Sequence, residues 1–324
     1  MTNKSETGHT RRAATTATAL ILGVLTLALP AVALSASPPT VTTGAARSVS
    51  YSSATLTGAI DPRASNTSYY FQYGPTKAFG AQTALADAGA GTTSATVSAA
   101  VSGLQPLTVY YYRLVAVNAA GATTGADRAL KTTAVPLSLA ILVSPNPALY
   151  GSTATIQGTL SGTHNAGRAV VLQQNPFPYT AGFADVDNPE LTTSTGSFSF
   201  PATDLTQAAQ YRVITTTSPP VVSPVVIEGV AVRVSAHVGR TGRRHRARIY
   251  GTVTPAIDGM EVGIMRVSGG HNVLVGGTAL RHLNSTSSSF STRIRVQRHA
   301  LYRVFVKVTN GAQSSNYSSP LFIR

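Results

Sequence analysis

Apolar and polar side chains alternate through most of this chain in short runs closed by Gly, Pro or Asn. A period of two sends successive side chains to opposite faces of an extended segment, so each run predicts a strand with one face toward a core. Ser68-Tyr69-Tyr70-Phe71-Gln72-Tyr73-Gly74 is one such run, and Val109 to Asn118 is another. The chain is rich in Ala, Thr, Ser, Val and Gly and poor in charge, which suits strands and turns better than long amphipathic helices. The expected fold class is all-β, with three tandem β-sandwich domains following an N-terminal signal peptide in 324 residues.

The alternation fails at the N-terminus. Lys4, Arg11 and Arg12 make a basic region, Leu20 to Leu29 an apolar one, Pro30 a break, and Ala31-Val32-Ala33 a small-x-small cleavage site. This is the order of a secretory signal peptide, assigned to residues 1–36 with cleavage after Ala33 or Ala36. Ala13-Ala14-Thr15 follows Arg11-Arg12 where a twin-arginine signal has hydrophobic residues, so the general secretion route is the better match. Left uncleaved, residues 13–33 would approach the length of a membrane span, but four Thr interrupt them. The expected location is extracellular or in the cell envelope, and a membrane enters only through this segment. The chain contains no Cys, which removes disulfides, thiolate metal sites, iron–sulfur clusters and a cysteine nucleophile together.

From residue 37 the runs and turns group into units at 37–134, 135–229 and 230–324. The first carries Leu104, Pro106, Thr108 and Tyr110, then Tyr112 to Asn118 in alternation, then Gly121. This resembles the fibronectin type III domain, whose turn before strand F reads Leu-x-Pro-x-Thr-x-Tyr. The resemblance implies a structural tyrosine corner, with the Tyr110 hydroxyl bonded to main chain near Leu104 to Pro106. The family's strand B tryptophan is replaced by Leu56, which marks a divergent member of the kind found in exported bacterial proteins, and no Arg-Gly-Asp loop is present.

The second and third units repeat one another. Ile156-Gln157-Gly158-Thr159 recurs as Ile249-Tyr250-Gly251-Thr252, and Ser197-Phe198-Ser199 as Ser289-Phe290-Ser291. Tyr211-Arg212-Val213 recurs as Tyr302-Arg303-Val304, and Ser223-Pro224 as Ser319-Pro320, all in order. Their size and pattern resemble bacterial Ig-like modules.

Catalytic and metal chemistry finds little to work with, and no cofactor is expected. The seven His show no His-x-x-x-His spacing, and the pairs His237 with His245 and His271 with His282 have no acidic neighbour in sequence. Asp185 and Asp187 make the best oxygen cluster, but without the six or more ligands and distal Glu of a calcium loop. No Gly-x-Ser-x-Gly elbow occurs, and Gly239-Arg240-Thr241-Gly242 reads as a hairpin turn rather than a phosphate loop. The expectation is a protein that is not an enzyme. Asn175-Pro176-Phe177-Pro178-Tyr179 reads either as a cap on a sandwich core or as a stacking surface.

Charge changes the picture most. The chain carries 25 Lys and Arg against 11 Asp and Glu, for a net charge of +14. Residues 230–324 alone hold 14 Lys or Arg against Asp258 and Glu261, while residues 135–229 hold two Arg against five acids. Arg244, Arg246 and Arg248 alternate with His245, Ala247 and Ile249, and Arg293 and Arg295 flank Ile294. In an Ig-like sandwich these segments would be neighbouring strands B and E, giving one outward anion-binding face. The expected function is a secreted or cell-envelope interaction and spacer protein. Its last module would contact an anionic wall or capsular polymer or another envelope protein. Nucleic acid is disfavoured because aromatics are not interleaved with the arginines and the chain is exported. The alternative is a carbohydrate-binding accessory protein using exposed aromatics of the first two modules, Tyr69, Tyr73, Phe79, Phe177 and Tyr179.

Overall fold

The computed structural model describes residues 37–186, 188–241 and 245–323. The proposed signal segment, Asp187 and Arg244 therefore lie outside the described residues. Among the described residues there is no helix, and three pairs of packed sheets follow one another along the chain. The described residues thus fold as β-sandwiches in tandem.

In the first sandwich, Thr40–Thr43, Ser53–Asp61 and Ala95–Ser102 form one antiparallel sheet in that order. The facing sheet is built on Thr67–Gly74 paired with Val109–Asn118, with four shorter strands at its edges. Alternation places Leu56, Ile60, Phe71 and Leu114 inside with no exposed surface. Leu56 lies wholly inside this core. The Tyr110 hydroxyl accepts the N–H of Gln105 at 3.0 Å, closing the turn before its strand.

The second sandwich sets Ser138–Ser144, Ala154–Ser161 and Ser197–Ala202 against a sheet centred on Ala169–Pro176 and Ala209–Thr215. The third sets Arg233–Arg240, Arg246–Thr254, Ser287–Arg295 and Arg281–Asn284, in that order, against a sheet centred on Glu261–Ser268 and Ala300–Lys307.

The repeated Gly and the repeated Phe prove to be one contact. Gly158 is the cross-strand partner of Phe198, and Gly251 of Phe290. A Cβ on Gly158 would lie 2.2 Å from the Phe198 ring and one on Gly251 2.8 Å from Phe290. The ring covers the bare backbone of its partner strand, so neither glycine can gain a side chain while the ring stays in place.

The second and third sandwiches share their connecting segment. Val230, Ala231 and Val232 are all buried; Val230 belongs to the middle core and Val232 to the last. Ala148–Leu149 pairs in parallel with Val230–Ala231, and Ser314 of the last sandwich exchanges hydrogen bonds with Val230 and Val232 on the other side. A two-sided strand of this kind satisfies the connector's backbone groups as a sheet does.

Candidate anion-binding face

Strand parity builds the site. In Arg246–Thr254 the buried positions are Ala247, Ile249 and Val253, so Arg246, Arg248 and Tyr250 face outward and are exposed. In Ser287–Arg295 the inward positions include Ser288, Phe290 and Ile294, leaving Ser291, Arg293 and Arg295 outward and exposed. The two strands are neighbours, and their register pairs Arg246 directly with Arg295 and Arg248 directly with Arg293. Directly opposed residues in an antiparallel pair hold their Cβ atoms about 5 Å apart, and like charges there are destabilising.

Among the described residues, no opposite charge relieves that repulsion. Among the described residues, the four ion pairs are Asp61–Arg63, Arg113–Asp127, Asp258–His282 and Glu261–Lys307, and none includes an arginine of this face. None joins the acidic middle sandwich to the basic last one either. The local compensation is polar and aromatic. Arg248 Nε donates to Ser291 Oγ at 2.8 Å, and its guanidinium carbon stands 4.9 Å from the centre of the Tyr250 ring. His237, on the next strand and in register with Tyr250, sets its ring 5.7 Å away at 34°.

The expectation that no aromatic side chain sits among these arginines is therefore corrected. His237 and Arg248 both lie against Tyr250 on the same face, and Tyr250 is 37% exposed. The signal was present in the sequence, because Tyr250 is the next position of the same parity after Arg246 and Arg248. Arg281 also joins the face, through its pairing with Ser289. That contribution was not legible, since it depends on which strand closes the sheet.

The other candidates fall elsewhere. Asp258, absent from the sequence neighbourhood of His282, reaches His282 Nδ1 through Oδ2 at 3.0 Å and accepts the Ser288 hydroxyl through Oδ1. The Ser288 hydroxyl lowers the Asp258 pKa most, and His282 adds to the effect. In this trio the carboxylate lies between hydroxyl and imidazole, whereas a nucleophilic triad needs the imidazole against the hydroxyl. Ser288 is fully buried and its oxygen also accepts the N–H of Ile257 at 2.8 Å, so the trio ties a loop to the sheet. Asp185 accepts a hydrogen bond from Gln173 at 2.8 Å, and the described residues contain no cluster of three metal-ligating side chains.

The aromatic candidates for sugar stacking are not presented as a platform. Tyr69 and Phe79 are buried, while Tyr73, Phe177 and Tyr179 are half-buried. Phe177 and Tyr179 meet edge to face at 84° rather than coplanar. Phe177 lies against Gly311 of the last sandwich, where a Cβ would come within 2.8 Å of its ring.

No protein-family model matches the chain, and no curated protein matches it. Among solved structures it is similar to the chicken CNTN1 FN1-FN3 domains at 16% identity, covering 87% of this chain and 96% of that one, with a TM-score of 0.30. A titin segment is similar at 14% identity, covering 88% and 98%, with a TM-score of 0.35. A tetra-tandem repeat from the extending region of a large adhesion protein is similar at 15% identity, covering 88% and 74%, with a TM-score of 0.30. At these TM-scores the likeness adds no weight to the fold, which stands on strand order and register.

Proposed function

We propose that this chain is a non-catalytic interaction and spacer protein of the extracellular space or cell envelope, whose last module grips an anionic wall or capsular polymer. The observation that carries this reading is the pair of directly opposed arginine couples, Arg246 with Arg295 and Arg248 with Arg293, on an exposed sheet face. A sheet gains nothing from opposing like charges in register. A polymer with closely spaced anionic groups converts that cost into binding, because each guanidinium offers a fork of donors to an oxyanion. The cluster of His237, Tyr250 and Arg248 gives the polymer's rings a stacking surface beside the charges.

Retention of the full chain on heparin and on purified wall polymer across a salt series tests this. The expected result is firm retention at low ionic strength that falls steeply as screening shortens the reach of exposed charges to below about 8 Å. The variant carrying Arg246→Gln, Arg248→Gln, Arg293→Gln and Arg295→Gln loses retention and melts no lower than wild type. Equal retention of this variant would overturn the proposal.

A further inference from the structure

One end of the last sandwich holds a cationic feature that the outward face does not explain. Along Glu261–Ser268 the inward positions are Val262, Ile264 and then Arg266, two core aliphatics followed by a guanidinium. Arg266 pairs across the sheet with Tyr302, whose side chain is almost wholly buried and whose hydroxyl accepts the N–H of Gln297 at 2.8 Å. A cavity of about 660 Å³ opens beside this pair, lined by His245, Arg266, Val275, Arg295, Arg298 and Tyr302 among others.

Among the described residues, three arginines and an imidazole line the cavity, and no carboxylate does. Among the described residues, none of these arginines takes part in an ion pair. The Nε of Arg266 is buried and has no hydrogen-bond partner, and the same holds for that of Arg303 on the neighbouring strand outside the cavity. Crowding several cations around one cavity without a counter-charge costs repulsion. Core packing gives no reason for such a set.

The middle sandwich shows that the fold closes the same corner without cations. There the residue paired with the equivalent tyrosine, Tyr211, is Gln174, and its amide donates to the Tyr211 hydroxyl at 3.2 Å. The cavity at that corner is about 220 Å³ and is lined by Thr203, Asp204, Thr206 and Gln207 as well as that pair. Within one chain, two copies of one architecture thus differ at one place: one is small and neutral to acidic, the other three times larger and basic.

We propose that the cavity of the last module binds a sugar-sized molecule or chain end bearing a tetrahedral oxyanion ester, a phosphate or sulfate monoester. The ester oxygens meet the guanidinium groups of Arg266 and Arg298. The uncharged body lies against Val275. A volume of about 660 Å³ is in the range of small-molecule sites and far exceeds what a bare ion fills. Planar guanidinium forks match the geometry of such oxyanions. Arg295 is the one residue shared with the outward face, and the inference does not need the polymer reading.

The test is calorimetric titration of the full chain with a hexose 6-phosphate, the matching hexose 6-sulfate, the parent hexose and inorganic phosphate. One or both esters should bind at least about tenfold tighter than the neutral hexose and inorganic phosphate, and their ranking identifies the ester. Arg266→Gln should cost about tenfold or more in ester affinity while heparin retention stays as in wild type. Arg281→Gln, on the outward face, should leave ester affinity unchanged. If Arg266→Gln does not fold, Arg298→Gln, at an exposed position, must weaken the ester by at least about threefold. Equal binding of the neutral hexose, no binding of either ester, or binding indifferent to both substitutions would overturn the inference. Loss of ester binding with retention intact separates a failure here from a failure of the outward face.

Discussion

Glu228 and Asp258 give two of the modules opposite responses to pH. Glu228 is completely buried; its Oε1 accepts the N–H of Ala148 at 2.7 Å, while Oε2 has no partner. Burial pushes its carboxyl above the ordinary value, with the Ala148 N–H pulling the other way. Burial, and then the Glu228 charge, push the Tyr211 hydroxyl up to about 12. The unfolded chain ionises Glu228 first, so its contribution to stability is fully present below the ordinary glutamate value of about 4.3 and is lost as pH rises through the raised folded value. Glu228→Gln keeps an oxygen for Ala148 and removes the charge. The variant should melt a few degrees above wild type at pH 7, and the gap should close near pH 4. A lower melting point at pH 7 would contradict the assignment. Asp258, held low chiefly by Ser288 and also by His282, works the other way: its contribution is present above the ordinary aspartate value and is lost as pH falls through the lowered one.

At the scale of the strand, Arg246–Thr254 carries both the core of the last sandwich and its outward arginines. Gly251 makes that possible. A side chain there would meet the Ser235 carbonyl oxygen as well as the Phe290 ring, and the backbone of a paired strand cannot withdraw. Gly251→Ala should destabilise the last sandwich by about 1–3 kcal/mol through overpacking. It should also weaken heparin retention, because Arg246 and Arg248 ride on the displaced strand. A thermal melt and a salt elution on one sample check both, and an unshifted melt would refute the contact. The same parity that hides Ala247 and Ile249 presents Arg246, Arg248 and Tyr250, so face and core are set by a single register.

At the scale of the whole molecule, the two junctions are built differently. Around residues 132–135 the hydrogen bonds divide. Thr132 and Thr133 bond back to the first sandwich at Thr108, Leu107 and Ser50, and Val135 bonds forward to Thr163. Between the second and third sandwiches they cross: Ala208 N–H donates to the Ala312 carbonyl at 2.7 Å, Gln313 donates to Thr206 at 2.8 Å, and Arg233 donates to the Tyr150 carbonyl. Val230 and Val232 of the connector also enter different cores. The last two sandwiches should therefore unfold as one cooperative unit and the first independently, giving two calorimetric transitions. Phe200→Ala, which empties a fully buried site of the middle core at a cost of about 3–5 kcal/mol, should lower the melting of both later sandwiches and spare the first. Three separable transitions would show that the shared connector does not couple them.

Much of the fold was legible because it is local. A period of two, closed by turn residues, marks a strand wherever it occurs, and the all-β class follows from composition and spacing alone. The repeats of Gly158 with Phe198 and Gly251 with Phe290 could be seen as matches, though not as contacts. Tyr250 could have been read from parity and was not. The rest had no local signature. Arg281 joins the outward face, Asp258 reaches His282, Phe177 covers Gly311, and Arg266 turns inward beside Arg298. Each of these depends on which strands pair and which loops meet, between residues that lie far apart in sequence. The sequence by itself determined which residues form strands, which side of a strand each occupies, and where the charge lies along the chain. Only the tertiary structure decided which of those sides face one another, because side-chain direction is a property of each residue's own backbone whereas proximity is a property of the closed sandwich.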